Sequence, residues 1–546
     1  MAETTPEKKP APKKKTTARK KTTARKSAVR KEPTTLRSFN PATGQVVEEI
    51  PTTPSAEVKE IVAQARKVAP EWVDISPDGR AYIMRRVRYR LYEMMDEVVE
   101  VVSRETGKPR TEALTHDVMP TLLLLLYLER IAGKTLKPQR IAPFIGPTLA
   151  GSRARIEWRP FGVVGCITPW NYPILNTFLA TAPPLFAGNT VVVKPSEVTP
   201  ACGELVRRIL EPLPSGVAHV IQGAGEVGAA LVDAPVDKIS FIGSPVTGRK
   251  ILEGAAKHLT PAVMELGGLD AAIVCEDADL DHTASGLVWG SFFNAGQTCC
   301  SVERVFVHDS VADELQDRMV AKFKQLRHGP GGDVGPLTAQ RQLEVVRRHV
   351  SDAVDKGARV LVGGPDVKKT EDGSFWYAPT ILDRVTPEMA VANEETFGPV
   401  VAMVRVRDDE EALQRANDAG VNLTASVWTS DKRRGEHLMS RLRAGSIATN
   451  NHGDMPGMPW APWGGMGESG FGVLNGKLGL REFVKPTTVA HTFPFRKKLW
   501  WYPYNDDTDA LFRATSTVFG APTFADKAKA ASEIFKLLPK VMKSRL

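Results

Sequence analysis

Between residues 162 and 264, five short apolar runs, at 162–167, 190–193, 218–221, 238–242 and 262–264, alternate with segments of helical periodicity. This alternation limits the fold more than any other feature. Strand, crossover helix and strand, repeated, call for a parallel sheet covered on both faces, because only a long crossover joins neighbouring parallel strands. A second series follows at 271–274, 304–307, 359–362, 400–405 and 425–428. The expected fold class is α/β: two doubly wound parallel-sheet domains with a cleft between them, where strand ends hold ligands. Upstream, 56–69 and 79–104 read as helices. The leucine-rich run 118–128 is far short of the roughly 20 residues a bilayer span needs and reads as a buried helix. Segments 151–158 and 482–491 have strand character outside both series, which assigns them to a separate pairing module.

Gly223, Gly225 and Gly228 have the spacing of a dinucleotide fingerprint, but they follow the third strand of the series instead of the first. The first strand ends in Thr168-Pro169-Trp170-Asn171 and the second in Lys194-Pro195-Ser196-Glu197. A carboxylate at the end of the second strand accepts hydrogen bonds from ribose hydroxyls and repels a 2′-phosphate. Glu197 therefore favours NAD, with NADP as the alternative, and Lys194 is a candidate for the same ribose. The fourth strand ends in Gly243-Ser244 just before a helix, where unhindered amides suit a diphosphate.

Glu265 and Cys299 lie 34 residues apart, each in a glycine-bearing turn after an apolar run, on either side of the boundary between the two series. A thiol and a carboxylate supply the nucleophile and the base of thioester chemistry. Either motif alone is equally a buried Cys or a surface Glu.

Their order decides between these readings. Trp170-Asn171, Lys194-Pro195-Ser196-Glu197, Phe241-Ile242-Gly243-Ser244, Met264-Glu265-Leu266-Gly267-Gly268, Phe293-Asn294-Ala295-Gly296-Gln297-Thr298-Cys299, Glu395-Thr396-Phe397-Gly398-Pro399 and Pro462-Trp463-Gly464-Gly465 follow one another as in the aldehyde dehydrogenase superfamily, which the chain resembles over about residues 38–495. The resemblance implies that Cys299, not Cys300, is the nucleophile, and that the Asn171 amide and the Cys299 N–H form the oxyanion hole. It also implies that Glu395 holds the nicotinamide ribose and that Phe397 packs on the nicotinamide. The implied cofactor-binding set is Thr168, Pro169, Trp170, Lys194, Ser196, Glu197, Gly225, Gly243, Ser244, Leu266, Glu395 and Phe397. Glu265 sets the chain apart from the superfamily's CoA-acylating members, so water is the expected acyl acceptor. One departure is Leu269, where the family commonly has Lys.

Succinate-semialdehyde dehydrogenases of this family clamp the distal carboxylate with an Arg eight positions after the oxyanion Asn and another six before the catalytic Cys. Here those positions hold Leu179 and Phe293. A carboxylate entering such a tunnel would lose water without gaining a cation, at a cost of several kcal/mol. An apolar aliphatic or aromatic aldehyde is the expected substrate. A succinate-semialdehyde dehydrogenase and a non-catalytic binding protein are the alternatives.

The net charge of +9 is concentrated at one end: residues 1–37 carry 13 Lys and Arg against 3 acids. This Lys/Thr/Ala/Pro segment is expected to be disordered, to contact nucleic acid or acidic surfaces, or simply to solubilise, and it lacks a signal-peptide core. The rest divides into an NAD-binding domain at 38–266 with oligomerisation strands near 140–158, a catalytic domain at 267–466, a return segment and oligomerisation strand at 467–495, and an aromatic and basic extension at 496–546. That extension contains Trp500, Trp501, Tyr502 and Tyr504 and an amphipathic helix at 524–546 interrupted at Pro539, which fits peripheral contact with a membrane or packing between subunits. Five cysteines, with no metal-ligand spacing, point to a reducing, cytoplasmic setting and no metal. A homodimer or homotetramer is the expected assembly.

Overall fold

Val163–Ile167 (β1) and Thr190–Lys194 (β2) are buried along their whole length, as β-branched runs are when helices cover both faces of a sheet. The computed structural model describes residues 34–142, 152–327, 329–365, 373–492, 498–502 and 504–543. With Ala218–Val220 (β3), Lys238–Gly243 (β4) and Ala262–Leu266 (β5), the first two strands form a parallel sheet in the order β5-β4-β1-β2-β3. The order reverses at β1, and a crevice opens there at the strand C-termini. The short strand Gly470–Phe471 closes the β5 edge in antiparallel register, with Gly470 opposite Glu265. Only glycine fits there: its φ is +116° and a Cβ would lie 1.8 Å from the Met264 carbonyl oxygen.

The second sheet contains Asp270–Val274 (β6), Val302–His308 (β7), Arg359–Val362 (β8), Thr380–Asp383 (β9), Val400–Val406 (β10), Thr424–Trp428 (β11) and Ser446–Thr449 (β12), in the order β8-β9-β10-β7-β6-β11-β12. All neighbours are parallel except β8, which runs antiparallel to β9 at the edge. Strands β9 and β12 lie outside the expected series. Each has four residues, too few to show a period, and takes its conformation from the strand beside it. Outside both sheets, Val484–Thr492 pairs with Ser152–Pro160 along its full length, and Gln139–Ile141 completes an antiparallel module.

Helices Met119–Leu136 (α1) and Leu175–Ala187 (α2) cover one face of the first sheet; Leu124, Leu128, Phe178 and Phe186 are buried in that core. On the other face Gly225–Asp233 (α3) and Pro245–Ala256 (α4) enclose Val227, Leu231, Ile239 and Phe241. Only Gly267, Gly268 and Leu269 separate β5 from β6. Glu265 therefore ends one sheet where the next begins, and Cys299 lies just before β7, after helix Leu280–Phe292 (α5).

Some sequence boundaries move. Residues 35–37 belong to strand Thr35–Phe39, because Leu36 is buried opposite Ile50; the basic segment 1–33 lies outside the described residues, as do Arg496, Lys497, Pro503 and 544–546. The helical stretch 79–104 is two helices, Pro77–Glu93 and Met95–Thr106, meeting at Met94. In the extension, helix Asp506–Gly520 (α6) was not expected, although Asn505 caps it by accepting from Thr508 N at 2.9 Å. Helix Phe524–Lys543 (α7) continues through Pro539, which lies on its exposed side, where the unbonded carbonyl is left to water.

Candidate active site

The loop carrying Cys299 is held in an unfavourable backbone conformation. Asn294, Ala295 and Gly296 have φ of 51°, 54° and 67° in succession; for a non-glycine residue this costs roughly 1–2 kcal/mol. Asn294 offsets that cost: its N–H donates to the Glu112 carboxylate at 3.1 Å and its Nδ2 donates to the carbonyls of Gln297 and Asn171, both at 3.0 Å. Gln297 Oε1 accepts from Thr338 N at 2.8 Å. A Cβ on Gly296 would sit 2.1 Å from the Gly398 carbonyl oxygen, so the turn excludes any side chain. The loop leaves Cys299 half-buried on the cavity wall and turns Cys300 into the core. The Cys300 thiol, hydrogen-bonded to Cys299 and buried, is pushed well above the usual thiol range. His452, held near pH 4 by burial and therefore neutral, donates from Nε2 to the Cys300 carbonyl at 2.9 Å.

Across the cavity, Asn171 follows β1. Its Oδ1 accepts from Asn176 Nδ2 at 3.0 Å, which orients the amide so that Nδ2 donates to the Gln297 carbonyl at 3.0 Å and keeps a second N–H. The backbone here is fixed by an ion pair without solvent exposure. Lys108 Nζ donates to Asp117 Oδ2 at 2.9 Å and to the Asn171 carbonyl at 2.7 Å, and lies 4.2 Å from the centre of the Tyr172 ring. Asp117 Oδ1 accepts from the N–H groups of Ile174 and Leu175 at the start of α2.

Glu265 is buried, and neither carboxylate oxygen has a hydrogen-bond partner among the described residues. Burial, then the neighbouring Cys299 and Glu482, pushes its carboxyl well above the usual range. Glu395 is half-buried; its Oε1 accepts from Gly268 N at 3.3 Å, and a Cβ on Gly267 would clash with it at 2.2 Å. Glu303, pushed up to about 7 by burial, accepts from the N–H groups of Thr396 and Phe397 at 2.8 and 2.9 Å and so sets the position of the Phe397 ring.

Asn171, Glu265, Cys299, Glu395 and Phe397 line one cavity of about 1270 Å³, with Lys108, Asp117, Glu112 and Glu303 behind its wall. Every candidate catalytic and cofactor residue reaches it: Thr168, Pro169, Trp170, Asn171, Lys194, Ser196, Glu197, Gly225, Gly243, Ser244, Glu265, Leu266, Cys299, Glu395 and Phe397. One end is a groove between α3 and α4 that suits a dinucleotide: Gly225 has nothing within 4 Å of where a Cβ would stand, and Ser244 caps α4 by accepting from Thr247 N at 3.3 Å. Lys194 Nζ donates to the carbonyls of Pro195 and Gly223, both at 2.9 Å, and to Glu197 at 3.0 Å. Its three donors are thus already engaged, and it orients Glu197. The other end, beyond Cys299, is lined by Met119, Leu123, Leu175, Leu179, Trp289 and Phe293. Trp289 stacks on Phe293 at 4.5 Å, and the His116 ring, whose pKa burial lowers, lies 5.4 Å from Phe293.

Residues 28–489 match the model of the aldehyde dehydrogenase family. The chain belongs to that family. It is 34% identical to 4,4'-diapolycopene aldehyde oxidase of Methylomonas sp, over 86% of this chain and 89% of that one. It is 36% identical to a Mycobacterium ulcerans protein provisionally named an NADP-dependent succinate-semialdehyde dehydrogenase, over 82% and 87%. PnpE of Pseudomonas sp. WBC-3, solved in complex with nicotinamide adenine dinucleotide, superposes with a TM-score of 0.80 at 31% identity, over 85% and 95%. The protein is accordingly an oxidoreductase acting on aldehydes with NAD(P) as cofactor.

In this aldehyde dehydrogenase the residues that support the candidate reacting groups are less visible in the sequence than those groups. Lys108, Asp117, Asn176, Glu303 and His116 carry no local signature, since their roles depend on contacts distant in sequence. Lys108→Met is expected to lower kcat about 10- to 100-fold, with KM for the aldehyde changing less, because the Asn171 backbone loses its anchor. It also leaves the buried Asp117 carboxylate without its counter-charge, at about 3–5 kcal/mol. Adding Asp117→Asn should restore thermal stability without restoring kcat; steady-state kinetics beside a melting curve measures both.

Proposed function

We propose that the protein oxidises an apolar aliphatic or aromatic aldehyde to its carboxylic acid, with NAD as the preferred cofactor, through a thioester on Cys299 that water hydrolyses. The Cys299 thiolate adds to the aldehyde carbon, and the oxyanion so formed is met by the Asn171 amide and the Cys299 N–H. One such donor is worth roughly 3 kcal/mol in the transition state. The nicotinamide cofactor, when bound, supplies the acceptor for the hydride that leaves this carbon. Cys299 then carries a neutral thioester, and Glu265 takes a proton from the water that attacks it. The sequence of charges helps the base. Cys299 is one of the neighbours that hold the Glu265 carboxyl up, and acylation removes that negative charge, so Glu265 ionises more readily at the step that needs it.

One observation supports an apolar substrate: among the described residues no Lys or Arg lines the cavity beyond Cys299. The lining cations, Lys194, Lys250, Lys257, Arg341 and Arg348, stand with the cofactor residues on β2, on and just after α4, and on helix Gln340–Asp355. Asp454 is the charged group beside the aromatic wall, and it would repel a second carboxylate. The preference for NAD rests on Glu197, whose carboxyl Lys194 and Arg341 hold down against the opposing effect of burial and which would face a 2′-phosphate as an anion. An aldehyde series from propanal to decanal, with benzaldehyde and succinate semialdehyde, assayed with NAD and with NADP, tests both parts. We expect kcat/KM to rise with chain length, succinate semialdehyde to trail decanal by at least about 10²-fold, and NAD to outperform NADP. Equal kcat/KM for decanal and succinate semialdehyde would overturn the substrate reading. The strand Val484–Thr492 lies at the edge of its sheet, and we assign it to pairing between copies in a homodimer or a dimer of dimers.

A further inference from the structure

None of the described residues beyond 498 lines the cavity. Helices α6 and α7 are joined by 521–523 and pack on each other; Leu511, Ala514, Thr515, Ala530 and Val541 are buried. The outer surface is unusual for a soluble hairpin. Phe519 and Phe524, on either side of the turn, are 55% and 86% exposed, and Phe535 on α7 is 79% exposed. No charged residue occurs from 514 to 525, so the tip is an apolar wedge. Helix α7 then carries five lysines against Asp526 and Glu533. Trp500, Trp501, Tyr502 and Tyr504, before α6, are also exposed. Among the described residues no helix is long and apolar enough to cross a membrane.

We propose that the α6–α7 hairpin docks on an anionic lipid bilayer, with Phe519 and Phe524 entering the acyl boundary and the α7 lysines facing lipid phosphates. Charge complementarity selects this occupant. Protein interfaces are depleted in lysine at their centres, and a second copy related by a two-fold axis would bring the net positive α7 against its own image. Anionic headgroups accept the same lysines, each worth about a fivefold change in partitioning, while apolar tips and Trp/Tyr side chains settle at the boundary. The inference is independent of the substrate reading, because it concerns where the enzyme sits and is read without catalysis.

Cosedimentation of the full chain with vesicles tests it, using phosphatidylcholine alone and phosphatidylcholine with phosphatidylglycerol in equal parts. We expect binding to the mixed vesicles that weakens with salt. The doubly substituted F519S/F524S should bind at least about tenfold more weakly, and K536E/K540E should lose a similar factor. Both variants replace exposed side chains and should oxidise propanal at the wild-type rate, which shows that they fold. No binding to the mixed vesicles would overturn the proposal. So would equal binding by wild type and F519S/F524S, which would assign the attraction to the basic N-terminal segment. A change of oligomeric state in either variant, without vesicle binding by the wild type, would give the surface to a second copy and also overturn it.

Discussion

Replacing Cys299 by alanine is expected to lower kcat for aldehyde oxidation by at least about 10⁴-fold. In the proposed mechanism the Cys299 sulfur forms the only covalent bond to substrate, and no other thiol is placed to replace it: Cys300 is turned into the core, 1% exposed, with its thiol pushed well up, and Cys166, Cys202 and Cys275 are buried. Cys300→Ala should retain most activity, since its carbonyl, not its sulfur, receives the His452 hydrogen bond. An NADH absorbance assay on both variants measures the difference. Loss of activity in the Cys300 variant alone would reassign the nucleophile.

Glu265→Gln should separate the two halves of the reaction. In the proposed mechanism hydride transfer needs Cys299 and Asn171 but not the Glu265 carboxylate, so the variant should release one equivalent of NADH per active site in a burst and then turn over about 10²- to 10⁴-fold more slowly than wild type. The pH dependence has a definite sign. A base acts in its ionised form, and burial raises the Glu265 carboxyl, so steady-state turnover in the wild type should be low in acid and rise as pH passes upward through that raised value. The Gln variant should lack this limb. Stopped-flow traces across pH measure both effects.

Both sheets were legible because their central strands are buried on two faces and read as uninterrupted β-branched runs, as in β1 and β2. Edge elements were less legible. Strands β9 and β12 are too short to carry a period, and α6 announces itself only through Asn505 and the acids after it. The candidate reacting groups were visible because such chemistry needs particular atoms in particular turns: Gly296 and Gly267 each face a group that leaves no room for a side chain. The supporting shell was not visible. Lys108 is 63 residues from the carbonyl it holds, and Glu112 is 182 residues from the Asn294 amide it accepts. Leu269, the one departure from the family pattern, is buried, and its carbonyl accepts from Arg304 at 2.8 Å. The cation at this turn comes from β7.

The proposed mechanism requires an acyl group carried by Cys299 and hydrolysed by a water that Glu265 activates. Peptide mass analysis of Glu265→Gln, quenched in acid after one turnover of decanal with NAD, tests this directly. The predicted result is the decanoyl mass on the peptide containing Cys299, assigned to that residue by its absence in the Glu265→Gln/Cys299→Ala double variant. Full NADH release with no acyl mass on the protein, or an adduct that survives loss of Cys299, would contradict it.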